Sequence, residues 1–172
     1  MKSIIIIGCA PCWEEDFENF KILVDEFDVM AIGADCPYGG AIQYFATYHF
    51  VDIPIYKMRR KNANCNLDFK VICHKNQLAS GEKLDVDIVE LHKTPSGSSS
   101  LLGAAAAIHL GYKNIVLCGC PMEGDNKNKI TPYNTFQIGW ASRLSEIKNY
   151  VRSMSGYTKE ILGRPTKEWL GI

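Results

Sequence analysis

Residues 96–100 read Ser-Gly-Ser-Ser-Ser and run directly into Leu-Leu-Gly-Ala-Ala-Ala-Ala, so hydroxyls and unhindered amides stand at the start of an expected helix. First-turn amides have no acceptor within their own helix and lie at the positive end of its dipole, which suits an anion, a phosphate above all. Serine is equally a favoured N-cap and alanine the best helix former, so plain capping explains the same residues. A second candidate loop is Gly-Cys-Ala-Pro-Cys-Trp at 8–13, directly after a four-isoleucine run, where Gly8 and Ala10 leave room for a ligand to approach the backbone. Neither loop is a nucleotide fingerprint by motif: Gly-Cys-Ala-Pro-Cys-Trp lacks the third glycine of G-x-G-x-x-G, and no Gly-Lys-Ser/Thr occurs in the chain.

The thiols and imidazoles offer other chemistry. Cys9 and Cys12 have the C-x-x-C spacing of a redox pair at a helix start, where the dipole lowers a thiol pKa, although Glu14, Glu15 and Asp16 beside them oppose a thiolate. Cys118 and Cys120 would complete a four-thiolate zinc site if their strand neighbours the first; C-x-C is a poor chelate spacing, and separate buried thiols need no such coincidence, so no metal is expected. His49, with Asp52 close behind, ends a strand-like run, as do His74 and His92. Each suits a hydrogen-bonded structural histidine, and His49 is the preferred acid or base if the protein does chemistry. His109, at the end of the alanine helix, is assigned to packing or the helix dipole.

Apolar β-branched bursts alternate with helical patterns, the mark of parallel strands buried on both faces and joined by crossover helices. Strands are expected at 3–8, 28–33, 44–51, 68–74, 86–92 and 114–118. Helices are expected at 14–27, from Pro54, and at 99–110 closed by Gly111, with Gly103 and the alanines letting that helix sit close to the sheet. Apolar residues at 136, 140, 144, 147, 151 and 154 fit one long helix ended by Gly156. The remainder repeats a Lys-Glu-apolar-Leu-Gly phrase, read as two short helical turns with glycine caps, whose Trp169, Leu170 and Ile172 are expected on the surface, ready to dock on this subunit or another. The expectation is a three-layer, Rossmann-like α/β fold with a mostly parallel sheet of about five or six strands flanked by helices: a single domain over 1–155 and a helical tail over 156–172.

With 172 residues, 47% of them hydrophobic, the chain can bury one core. Its 19 basic and 19 acidic residues cancel, which argues against a global pull toward nucleic acid or an anionic membrane. The one dense basic run, Tyr-Lys-Met-Arg-Arg-Lys at 56–61, reads as the solvated face of a short helix. Seven cysteines in apolar settings suit a reducing cytosol, and no apolar run reaches membrane-spanning length, so a cytoplasmic, soluble protein is expected.

The segments IIIIGCAPCWEED, FDVMAIG and SSSLLGAAAAIHLGYKNIVLCG together resemble the nucleotide-binding core shared by small bacterial sialyltransferases and 6-hydroxymethylpterin diphosphokinase-like proteins. The resemblance covers most of residues 1–124, is densest over 98–119, and extends to short phage-encoded members. It implies that Gly8, Ala10, Pro11 and Cys12, the last where the families carry serine, form one nucleotide-binding loop. It implies further that Ser98, Ser99 and Ser100 meet the phosphates or ribose of a CMP- or ATP-type donor, and that Tyr133 matches a phosphate-binding tyrosine. The families' Gly-x-Asp becomes Gly119-Cys120-Pro121 here, which leaves Glu123 or Asp125 to supply a carboxylate, and an expected asparagine falls near Gly33-Ala34, which leaves Asp35. No histidine follows His109, so a glycosyl transfer of the sialyltransferase type lacks its evident general base here. The implied function is glycosyl or diphosphate transfer from a nucleotide donor. The alternatives are a non-catalytic binding or assembly protein, self-associating through its tail, and a thiol redox or zinc protein using Cys9 and Cys12.

Overall fold

The computed structural model describes residues 3–74, 97–123 and 133–172. Six strands, β1 (Ser3–Ile7), β2 (Phe27–Ile32), β3 (Tyr44–Thr47), β4 (Lys70–Cys73), β5 (Asn114–Cys118) and β6 (Val151–Ser153), form one sheet in the order β4-β3-β2-β1-β5-β6. Every pairing is parallel, with Ile7 level with Ala31 on one side and Cys118 on the other. The helices are α1 (Trp13–Lys21), α2 (Asp52–Asn62), α3 (Ser99–His109), α4 (Tyr133–Ile147), α5 (Gly156–Leu162) and α6 (Lys167–Leu170). None of them is long and apolar enough to cross a membrane among the described residues.

The isoleucine run explains the layering. Successive strand side chains point to opposite faces, so Ile4 and Ile6 join a core with Met30, Leu101, Leu102 and Trp140 under α3 and α4, while Ile5 and Ile7 join Phe17, Phe20, Phe45 and Tyr56 under α1 and α2. All four isoleucines are fully buried, as a central parallel strand covered on both sides requires. Helix α3 sits close because Gly103 has no side chain: a Cβ there would lie 3.0 Å from Met30 Sδ and 3.3 Å from Ile32 Cγ2. The expected α/β architecture is therefore observed.

Boundaries differ in places. Helix α1 stops at Lys21 and leaves Ile22 exposed, because Phe27 opens β2. Strand β3 ends at Thr47, so Tyr48–Val51 is loop, and α2 starts at Asp52 with Pro54 as its third residue. The long helix expected to run to Gly156 is two elements, since α4 ends at Ile147 and Val151–Ser153 is an edge strand paired with β5. Only three residues long, that strand shares its buried positions with a continuing helical spacing, and periodicity alone does not separate them. Gly156 opens α5 with φ +62°, under Pro121. The expected strand at 86–92, with His92, lies outside the described residues.

The tail is not a free arm. Leu170 is buried in the α1 and α2 core, its carbonyl accepts from Asn114 Nδ2 at 3.2 Å, and Trp169 lies 4.8 Å beneath the Arg152 guanidinium. The expected turns with glycine caps are present at Gly163 and Gly171, but they fold α5 and α6 onto their own sheet edge, and of the three apolar tail residues only Ile172 is exposed.

Candidate functional site

From β1 the chain steps outward to β2, β3 and β4, then returns by way of α3 to β5 on the other side of β1. Connections therefore diverge at the carboxyl ends of β1 and β5, and such a switch point opens a crevice in parallel sheets. A cavity of ≈430 Å³ occupies it here, lined by Gly8–Pro11, Gly33, His49, Gly97–Ser100, Gly119–Met122, Tyr133 and Phe136. The first loop and the serine turn thus share one cleft.

The cleft floor is laced across the two central strands. Gly8 N donates to Cys118 O at 2.9 Å and Ala10 N to Gly119 O at 3.2 Å. Gly8 has its own structural reason to be glycine: a Cβ there would lie 2.8 Å from Cys120 Sγ and closer still to the Gly119 carbonyl oxygen. The missing side chain accommodates the neighbouring turn, where the sequence suggested room for a ligand. Behind the floor, Asp16 of α1, 6% exposed, accepts from Gly119 N at 2.9 Å and from Ser155 Oγ at 2.7 Å. Its carboxylate pins the β5 turn to the β6–α5 turn. In the sequence Asp16 stands only among the acidic residues beside Cys9 and Cys12; its place beneath Gly119 depends on the β1–β5 pairing and has no local signal.

The three serines divide their work. Ser98 caps α3, its Oγ accepting from Leu101 N at 3.4 Å and lying 2.9 Å from Ser100 Oγ. Ser100 is buried, and its hydroxyl also approaches Met122 Sδ at 3.9 Å. Ser99 is half-buried; its Oγ accepts from Tyr48 N at 3.0 Å, tying the His49 loop to the helix start. Capping and cleft lining are therefore both present in one turn. The amides of Ser99 and Ser100, as first-turn groups, have no acceptor within α3 and stand at its positive end.

His49 is exposed at the cleft edge, its ring edge-on to Tyr48 at 5.5 Å. Below it Thr47 Oγ1 donates to Asp52 Oδ2 at 2.6 Å and accepts from His49 N at 3.1 Å, so Asp52 orders the turn through the backbone. Tyr133 and Phe136 bring the first turns of α4 to the cleft, where Gln137 Nε2 donates to Met122 O at 2.9 Å. Met122 takes φ +53°, a left-handed conformation that a branch-free but bulky residue seldom adopts, at the cleft wall. Met122 did not stand out in the sequence, since a lone apolar residue after a strand carries no pattern, and Phe136 was read only as an apolar position of the long helix.

Other expected residues fall elsewhere. Cys12 does not line the cleft: it caps no amide, and its Sγ lies 3.4 Å from Ser155 Oγ behind the loop. Burial raises its pKa, only partly opposed by the Ser155 contact, and the Asp16 charge raises it further, the reverse of an activated thiol. Asp35 is exposed and paired with Arg59, away from the lining. Glu123 is exposed and outside the lining, and Asp125 lies outside the described residues. Cys9 reaches the cleft as an exposed thiol, whereas Cys118 and Cys120 are buried, with pKa values pushed well up by desolvation. None of the seven cysteines is in a disulfide, and no three His, Cys, Asp or Glu side chains gather as a metal site among the described residues. No Lys, Arg, Asp or Glu lines the cleft among the described residues, so an anion there would be met by backbone amides, hydroxyls and the α3 dipole and by no side-chain cation of that lining.

No family model matches the chain, and no curated protein matches it. Among solved structures it is similar to the sialyltransferase CstII from Campylobacter jejuni, solved in complex with a substrate analogue, cytidine-5'-monophosphate. The likeness has 16% sequence identity and a TM-score of 0.64, and covers 97% of this chain and 86% of that one. At that identity it is a likeness of fold, and it extends over the whole sheet.

Proposed function

We propose that the cleft binds a nucleotide carrying one phosphate, such as CMP or a CMP-linked sugar, and that the protein is related to nucleotide-sugar transferases. The observation that carries this reading is the shared cavity: the Gly8–Pro11 loop and the start of α3 open on one ≈430 Å³ space at the switch point. The fold neighbour was solved with CMP, which agrees with the choice of probe. The Ser99 and Ser100 amides and the Ser99 hydroxyl would receive the phosphate, with Tyr133 as a further donor, and Pro121, Met122 and Phe136 offer apolar surface to a sugar or base. A single phosphate charge matches a site built from dipoles. An ATP-type donor would ask for side-chain cations or a carboxylate-held divalent ion, which the described lining does not supply.

His49 is the acid–base group in this proposal, since it is the one imidazole among the described lining residues, which include no carboxylate or ammonium group. Reliance on one such group also favours a second reading, a protein that binds nucleotide without turning it over. Titration calorimetry with CMP and AMP, with CMP release from a CMP-sugar as the turnover assay, separates these. The transferase reading expects CMP binding weakened by Ser99→Ala and turnover abolished by His49→Ala with binding retained. Binding without turnover supports the second reading, and binding of neither nucleotide overturns both.

A further inference from the structure

His49 is an exposed side chain in the loop between β3 and α2, yet both polar groups of its backbone are held. Its N donates to Thr47 Oγ1 at 3.1 Å, and its O accepts from Asp52 N at 3.0 Å. The preceding residue is fixed as well: Tyr48 N donates to Ser99 Oγ at 3.0 Å, and the Tyr48 ring stacks on His74 at 5.3 Å and lies against Gly97, where an added Cβ would meet Tyr48 Cε1 at 3.5 Å. Thr47 is the last residue of β3 and is fully buried, so the sheet sets the place of its hydroxyl. That hydroxyl has one hydrogen. The Asp52 carboxylate at 2.6 Å takes it in preference to His49 O at 3.2 Å, which leaves the oxygen as acceptor for His49 N. These bonds are not capping of α2. Its N-cap, Val51, makes no side-chain bond, and the amides of Asp52 and Ile53 are met by the backbone oxygens of His49 and Phe50.

We infer that Thr47 is a positioning residue for His49, and that Asp52 locks the hydroxyl through which it acts. The inference rests on the transferase reading of the cleft and names the residues that would hold its acid–base group. Neither Thr47 nor Asp52 belongs to the described cavity lining, so their influence passes through the His49 backbone. Ser99 registers the same loop against the turn that would receive the phosphate. A group that transfers a proton must lie within hydrogen-bond reach of the reacting atom, and a displacement of about 1 Å costs about a hundredfold in rate. An imidazole on an unrestrained surface loop would spend much of its time outside that reach.

CMP release from a CMP-sugar, with CMP calorimetry on each folded variant, tests it. Thr47→Val keeps the shape and deletes the hydroxyl; kcat is expected to fall about a hundredfold, with KM and CMP affinity unchanged. Thr47→Ser restores the hydroxyl and is expected to recover most of the rate. Asp52→Ala, which leaves the buried β3 position intact, frees the Thr47 hydrogen to turn toward His49 O and is expected to lower kcat about tenfold; it decides alone if circular dichroism shows Thr47→Val unfolded. Wild-type kcat in Asp52→Ala and in any folded Thr47→Val overturns the inference, as does a loss carried by KM alone. Failure of Thr47→Ser to recover a rate lost in Thr47→Val also overturns it, since packing would then be the cause. Each of these results, seen beside wild-type turnover, removes this inference and leaves the transferase reading standing. A wild-type chain without turnover overturns both.

Discussion

Replacing Gly8 by alanine tests whether the switch point is as tightly laced as its hydrogen bonds imply. The added methyl would lie 2.8 Å from Cys120 Sγ, 3.1 Å from the Gly119 carbonyl carbon, and nearer still to the Gly119 oxygen. Two of those three atoms are backbone, and they belong to a turn held by Gly8 N at Cys118 O, Ala10 N at Gly119 O and Gly119 N at Asp16. Relief therefore requires parting β1 from β5 at their carboxyl ends. Overpacking of this kind costs about 1–3 kcal/mol, and stretching one buried hydrogen bond adds about 1 kcal/mol. The sum, about 2–4 kcal/mol, corresponds to a fall in Tm of roughly 5–15 °C for a chain of this size. Gly111→Ala is the control: φ is +89° there, but nothing lies within 4 Å of an added Cβ, so only backbone strain of about 1–2 kcal/mol applies. Melting followed by circular dichroism, with CMP titration of each variant, reads both effects. Gly8→Ala is expected to melt well below Gly111→Ala and to lose CMP affinity, which the control keeps. A Gly8→Ala protein that melts with the wild type would refute the steric reasoning.

Three further outcomes follow from buried groups. Arg60→Met keeps the aliphatic stem but abandons three carbonyl oxygens, at a cost of about 3 kcal/mol or more, read as a lowered urea midpoint. Burial raises the Cys36 thiol from 9.0 to about 11; the native state thus holds a proton that the unfolded chain releases, so this contribution to stability is complete below pH 9 and is lost from there to about pH 11. The slope for one such group is about 1.4 kcal/mol per pH unit, and melts across that range should be shallower in Cys36→Ala. Leu170→Ala removes a side chain that is 7% exposed in the core, so a loss of about 2–3 kcal/mol is expected with no change in sedimentation coefficient, whereas a docking arm would show the opposite.

The sheet was legible because its strands are buried on both faces, which leaves unbroken runs such as Ile4–Ile7 and Ile115–Cys118 with nothing polar to confuse them. Helix α3 announced itself at both ends, by the Ser98 cap and by Gly111 at positive φ. Strand β6 did not, because an edge strand of three residues beside a helix has too few positions for a period of two to show. Asp35 and Cys12 were read as site residues from the family resemblance, and both turn aside: the Arg59 guanidinium takes the first, and the Ser155 hydroxyl lies against the second. Those partners sit 24 and 143 residues away, beyond any local pattern.

The serine turn shows why a cap and an anion site need not be alternatives. A cap is formed by one side-chain oxygen accepting from an amide deeper in the first turn, as Ser98 does for Leu101, and this leaves the amides of the next residues still directed outward. Capping thus fixes the direction of the very donors that an anion would use. What decides between a bare helix start and a binding site is the space in front of it. Here that space lies at the switch point, with Gly33 on its lining where an added Cβ would meet nothing within 4 Å, and its walls are tied together by Ser99 to Tyr48, Gln137 to Met122 and Asp16 to Gly119. The first and last of these ties join separate connections, and the Gln137 tie holds α4 to the loop after β5. The cleft is accordingly preorganised by the fold, and a ligand entering it would meet donors already oriented at no further ordering cost.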